Sequence, residues 1–129
     1  MKPLLSGGGI TNGRPGPKLK RIPVLNRFHE EVITYHSYTG TGFAAWTQAL
    51  EQGLAAVRAF KADAVVIALG VDTYEGDPIS KFQLKSADYL RVGRLLAGLD
   101  LPAVFTMEGG YAVADVGINV ANVLEGYAG

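Results

Sequence analysis

The spacing of apolar positions changes several times along this chain, and each change predicts an element. Phe43, Trp46, Leu50, Leu54, Val57 and Phe60 fall on one face of a helix. Thr39 or Thr41 stands before that face as its N-cap. Gly53 inside it costs up to about 1 kcal/mol against alanine, so the helix relies on packing. Residues 64–69 then read Ala-Val-Val-Ile-Ala-Leu without a polar break. A short, β-branched, continuously apolar run predicts a strand covered on both faces. Gly70 ends it, and residues 71–85 form a long loop rich in polar and turn residues. Ser86 caps a second helix reaching Ala97, with Tyr89, Leu90, Val92, Leu95 and Leu96 inward and Gly98 as its stop. After the turn Asp100-Leu101-Pro102, residues 103–107 predict a second buried strand. Residues 108–111 are a loop, and residues 113–125 a last helix with Val116, Val120, Val123 and Leu124 on one side.

The crossover between the two strands exceeds 30 residues and contains a helix, so they lie parallel and connect right-handedly. The fold class is α/β, a partial parallel sheet flanked by helices. Two such strands cannot give each other two interior neighbours. At least one edge calls for a further strand, from the N-terminal arm or from another chain.

Residues 1–38 are an irregular, basic arm. Residues 1–42 hold seven of the 17 glycines and four of the six prolines, and no period is sustained over residues 22–35. Residues 1–36 carry a net charge of +4 and residues 37–129 a net of −4, so the whole chain is neutral. That neutrality gives no global steering toward nucleic acid or an acidic membrane. No apolar run approaches the ~20 residues of a membrane span, and no signal-peptide core opens the chain, so a cytoplasmic setting is the default. Cysteine is absent, which excludes disulfides and thiolate metal sites. A metal here would take Asp, Glu or His ligands.

The carboxyl ends of parallel strands share one rim, where ligands bind. Asp72 follows the first strand and Tyr111 the second, so their loops meet. Asp72 reads as a metal ligand or general base, or as a cap of the next turn. Asp77, before Pro78, reads first as a turn former, and Glu75 as solvated. Gly109-Gly110 permits close backbone approach or positive φ. Tyr111 can donate its hydroxyl to a carbonyl or pack on the last helix. His29 and His36 lack acidic companions that would complete a zinc set and read as surface histidines. Gly7-Gly8-Gly9 with Lys18-Leu19-Lys20-Arg21 lacks a preceding strand and interleaved aromatics, so a nucleic-acid role is disfavoured.

The stretch from Ala68 to Ser80, then Met107-Glu108-Gly109-Gly110-Tyr111, then the stretch from Gly117 to Leu124, resemble the C-terminal part of the histone deacetylase superfamily. The closer likeness is to its acetylpolyamine amidohydrolase branch, which Gly40-Thr41-Gly42-Phe43-Ala44-Ala45-Trp46 also resembles. The likeness covers about residues 39–129. It implies an arginase-like parallel sheet with the site at the strands' carboxyl edge. It implies a zinc ion, with Asp72 as one ligand, and Tyr111 as the donor to the scissile amide carbonyl. Gly109 and Gly110 would line the substrate channel. The family's His pair and Asp-x-His metal loop lie upstream of the matched motifs, whereas residues 1–38 contain no His-His, no Asp-x-His and no aspartate. Neither His29 nor His36 inherits a role. The expectation is the C-terminal part of a zinc-dependent deacetylase acting on an acetylated polyamine or lysine-like amine, incomplete as a catalyst alone. The alternative is a non-catalytic interaction module. A complementing N-terminal half, or a second copy, is the partner either reading calls for.

Overall fold

The computed structural model describes the backbone of residues 6–7, 22–25 and 31–35 and all of residues 40–129. His29, His36, Thr39, Gly8, Gly9 and the basic run at 18–21 lie outside the described residues. Three short strands interrupt the arm that reads as irregular: β1 (Ser6–Gly7), β2 (Ile22–Leu25) and β3 (Glu31–Tyr35). They form a sheet in the order β1-β3-β2, with β1 parallel and β2 antiparallel to β3. β2 and β3 are rich in Ile and Val, which suit strands. Pro23, which has no N–H to donate, sits on an edge strand of this sheet.

The remainder runs α1 (Phe43–Ala59), β4 (Val65–Leu69), α2 (Ser86–Ala97), β5 (Ala103–Met107) and α3 (Val113–Ala128). β4 and β5 pair in parallel, with Val65 opposite Ala103 and Leu69 opposite Met107. The boundaries follow the apolar periodicity within a few residues, but the caps differ. Gly42, not Thr39 or Thr41, is the N-cap of α1 and supplies no side-chain bond. Lys85, not Ser86, caps α2. Asp88 reaches back so that its carboxylate accepts the Lys85 N–H at 2.9 Å, the N3 half of a capping box. Gly98 ends α2 in a right-handed conformation, and Asp100 takes the positive φ of the turn, +53°.

The core joins α1, the sheet, α2 and α3 through Leu54, Val57, Leu69, Val71, Leu84, Tyr89, Val92, Leu96, Leu99 and Val123. α2 and α3 approach backbone to backbone. A Cβ on Gly93 would lie 2.8 Å from the Tyr127 nitrogen and would overlap the Val123 carbonyl. A Cβ on Gly126 would overlap the Leu90 carbonyl. Tyr127 meets Phe105 of β5 edge to face, 5.0 Å between ring centroids, and its hydroxyl donates to the Leu101 carbonyl at 3.0 Å.

The expected coverage of both sheet faces is not what the described residues provide. Val65, Ile67, Leu69 and Phe105 pack on the core. Val66 and Val104, which point the other way, are 51% and 60% exposed. Alternating burial along an uninterrupted apolar run means that the sequence is written for a second layer that these residues do not supply. α3 carries the same signature, with Ile118 and Leu124 exposed on the side away from buried Val123.

Candidate active site

The rim begins where the ladder of β4 and β5 runs past the strand ends. The Glu108 N–H donates to the Leu69 carbonyl at 2.9 Å, and the Val71 N–H to the Gly109 carbonyl at 2.8 Å. This register sets Asp72 directly against Gly109. A Cβ there would overlap Asp72 Oδ2 and lie 2.7 Å from its Cγ, so only glycine leaves room for the carboxylate. Gly110 has φ +145°, and a Cβ on it would come within 2.7 Å of Val71 Cγ2. The two glycines therefore do different things: one admits the Asp72 carboxylate and the other turns the chain against Val71.

The long loop 71–85 is more built than its composition suggests. Tyr74 bridges Leu84, which is fully buried, and the Glu75 N–H donates to the Leu84 carbonyl at 2.8 Å. The segment before α1 closes it from outside: Gly40 N–H donates to Lys81 O at 2.7 Å and Gln83 N–H to Thr41 O at 3.0 Å. Beneath it, the Tyr89 hydroxyl of α2 donates to the Val71 carbonyl at 3.0 Å and bonds Thr73 Oγ1 at 2.9 Å. Asp72 thus sits between two residues fixed by one buried phenol. Burial holds that phenol's pKa far above its ordinary value, so it stays neutral.

Asp72 is partly buried, and its pKa is raised, first by desolvation and further by the charge of Asp77. A carboxylate taken from water and placed near a second one is short of positive charge, which suits a cation ligand. Among the described residues, however, no three His, Cys, Asp or Glu side chains converge. A catalytic zinc normally takes three protein ligands and keeps a position open, so this donor set does not hold one by itself. Tyr111 follows Gly110 at the entry to α3, its side chain 50% exposed.

Two contributors escaped the sequence reading. Helical periodicity marks Tyr89 only as an inward position. The Asp-Pro pattern marks Asp77 as a turn former; it does close that turn, but it also reaches the other loop, since the Tyr111 N–H donates to Asp77 Oδ2 at 2.8 Å. The signal for Asp77 was its nearness to the rim, which spacing along the chain cannot convert into a contact across 34 residues.

At the carboxyl edge of the parallel sheet, the Asp72 loop thus packs on the Gly109-Gly110-Tyr111 loop. The sequence model of the histone deacetylase domain matches residues 25–127, and the chain belongs to this family. The match starts upstream of residue 39, where the sequence likeness begins. Within the family the similarity runs to acetylpolyamine amidohydrolases. Acetylpolyamine amidohydrolase 1 of Pseudomonas aeruginosa is 52% identical over 97 residues, 73% of this chain and 28% of that protein. The Mycoplana ramosa acetylpolyamine amidohydrolase is 51% identical over 90 residues, 70% of this chain and 26% of that one. The crystal structure of the acetylpolyamine aminohydrolase of Burkholderia pseudomallei superposes with a TM-score of 0.73 at 29% identity, over 78% of this chain and 29% of that one. The arginase-like α/β fold implied by the motifs is therefore the fold of this chain. The chain spans little more than a quarter of the length of the curated relatives it matches. No described helix is long and apolar enough to cross a membrane.

Proposed function

We propose that this chain supplies the C-terminal wall of a zinc-dependent acetylpolyamine amidohydrolase or deacetylase, which hydrolyses an acetyl amide on a polyamine or lysine-like amine. The observation that carries the reading is the seating of the Asp72 carboxylate against Gly109, with Tyr111 two residues further on. Asp72 is one metal ligand, Tyr111 the hydrogen-bond donor to the amide carbonyl, and Gly109-Gly110 the channel wall. The other ligands and the general base come from outside residues 40–129, supplied by a complementing N-terminal half. The setting is cytoplasmic. Bare Val66 and Val104 support the pairing, because exposed apolar sheet needs cover.

The test uses the purified 129-residue chain, alone and mixed with the N-terminal three-quarters of the Mycoplana ramosa enzyme. Expected are negligible hydrolysis of acetylputrescine by the chain alone and chelator-sensitive turnover by the mixture, strongly reduced but measurable in Tyr111→Phe. Robust chelator-sensitive turnover by the chain alone would refute the incomplete site. A mixture that associates and binds zinc yet stays inert would refute the assignment to amide hydrolysis.

A further inference from the structure

We propose that Asp77 is a positioning residue for Tyr111, a strut that transmits the geometry of the Asp72 loop to the tyrosine loop. The inference rests on the reading of Tyr111 as the carbonyl donor.

Asp77 is only 5% exposed, and a carboxylate so buried must be matched by donors. Its partners are backbone N–H groups, and its two oxygens divide them. Oδ1 accepts from Ile79 and Ser80, both at 2.9 Å, which closes the turn around Pro78. Oδ2 accepts from Tyr111 at 2.8 Å, in the other rim loop. A carboxylate needed only for the turn would leave its second oxygen to solvent. Here that oxygen is spent on the residue whose side chain the chemistry uses.

The contact fixes Tyr111 because its neighbour is fixed as well. The Gly109 carbonyl accepts from the Val71 N–H at 2.8 Å, and Gly110 runs so close that a Cβ on it would lie 2.7 Å from Val71 Cγ2, so the chain entering Tyr111 is flanked by Val71 and bonded to Asp77. Both supports belong to the segment that carries Asp72. The two functional side chains are thereby referred to one frame, although they are 39 residues apart in sequence. α3 needs the same carboxylate: its own N-cap, Ala112, has no side-chain bond to offer, and a negative charge belongs at a helix N-terminus. Catalytic groups lose rate steeply when displaced by about 1 Å, so a strut of this kind bears on turnover rather than on substrate capture.

The test has a structural arm and a kinetic arm. In Asp77→Asn one amide oxygen can still serve Ile79 and Ser80, but the amide nitrogen faces the Tyr111 N–H, donor against donor. Amide exchange by NMR should accelerate at Tyr111 by roughly tenfold or more, while Ile79, Ser80, Val71 and Glu108 keep their protection. Unchanged exchange at Tyr111, or equal loss at all five amides, overturns the proposal. In the unsubstituted chain, a through-bond coupling between the Tyr111 nitrogen and the Asp77 carboxyl carbon should be measurable, so the contact is decided even where the variant fails to fold; absence of the coupling counts against the strut. In the complemented enzyme, Asp77→Asn should lower kcat with little change in KM. Asp77→Asn added to Tyr111→Phe should cost nothing further, whereas additive losses overturn the proposal. A complemented mixture that associates and binds zinc yet stays inert refutes the proposed hydrolysis and leaves the NMR arm to decide the strut.

Discussion

Tyr89→Phe isolates what holds the Asp72 loop. The ring stays, so the packing of a side chain 1% exposed is kept, and only the hydroxyl goes. Two hydrogen bonds go with it, to the Val71 carbonyl and to Thr73 Oγ1. Each contributes about 0.5–1.5 kcal/mol net. The Val71 carbonyl keeps the Tyr74 N–H at 3.3 Å, and Thr73 is only partly buried, so neither group is left stranded. The expected cost is therefore about 1–2 kcal/mol, or roughly 5–10 °C in Tm for a domain of this size. Tyr127→Phe is the control. It removes one buried-side hydroxyl bond, to Leu101, without touching the rim. Both variants should melt earlier, but only Tyr89→Phe should speed amide exchange at Leu84, whose N–H donates to the Thr73 carbonyl. Urea and thermal unfolding give the magnitude, and NMR exchange gives the location. Wild-type stability in Tyr89→Phe, or identical exchange in the two variants, would show that the phenol does not support the loop.

Asp72→Asn should stabilise the chain at neutral pH and remove its contribution to metal binding, read by unfolding and by zinc titration of the complemented protein. The sign follows from linkage: a carboxyl whose pKa is raised on folding from 3.8 is disfavoured as the anion, so its cost is present above the folded pKa and fades as pH falls toward 3.8. Asp77 behaves oppositely. Burial raises its pKa, but the N–H groups of Ser80, Tyr111, Ile79 and Ala112 outweigh that and hold it below 3.8, so its support is present above 3.8 and lost as pH falls through the folded value. Asn119 is buried with both side-chain polar atoms unpartnered among the described residues, so Asn119→Leu should stabilise the chain by about 1–2 kcal/mol in urea unfolding. A loss of stability would reveal a partner for the amide. Gly126→Ala should cost about 3 kcal/mol or more, because the methyl overlaps the Leu90 carbonyl and neither helix backbone can yield cheaply. A cost under about 1 kcal/mol would contradict the close crossing.

The elements were legible because period survives without tertiary knowledge: the 43–60 face and the two β-branched runs fall where α1, β4 and β5 stand. The shared rim was legible for the same reason, since parallel strands put Asp72 and Tyr111 on one edge whatever surrounds them. What failed depended on which group happens to reach which. Thr41 and Ser86 have the right chemistry for caps, but Gly42 and Lys85 occupy those positions. Nothing in the period marks Gly93 and Gly126, whose value appears only when α2 and α3 meet. The sheet is the instructive case. Its apolar run calls for two covered faces, yet one is open among the described residues, so the sequence states a requirement that those residues do not meet.

That mismatch separates two properties usually found together. The rim is held by groups inside residues 40–129: Tyr89 from α2 beneath Asp72, Asp77 across to Tyr111, and the 40–41 segment against 81–83. None of these contacts waits for a metal or for another chain. The outer sheet face and the exposed side of α3 are unfinished. An incoming N-terminal half would then meet a wall already in shape, so little of its binding free energy goes to ordering Asp72 or Tyr111, and most comes from covering apolar surface. Such an association should carry a large negative heat-capacity change, the mark of apolar burial, with little change in amide protection at Val71, Glu108 and Tyr111. If those three amides become protected only on association, the rim is not preorganised and the loops acquire their geometry from the partner.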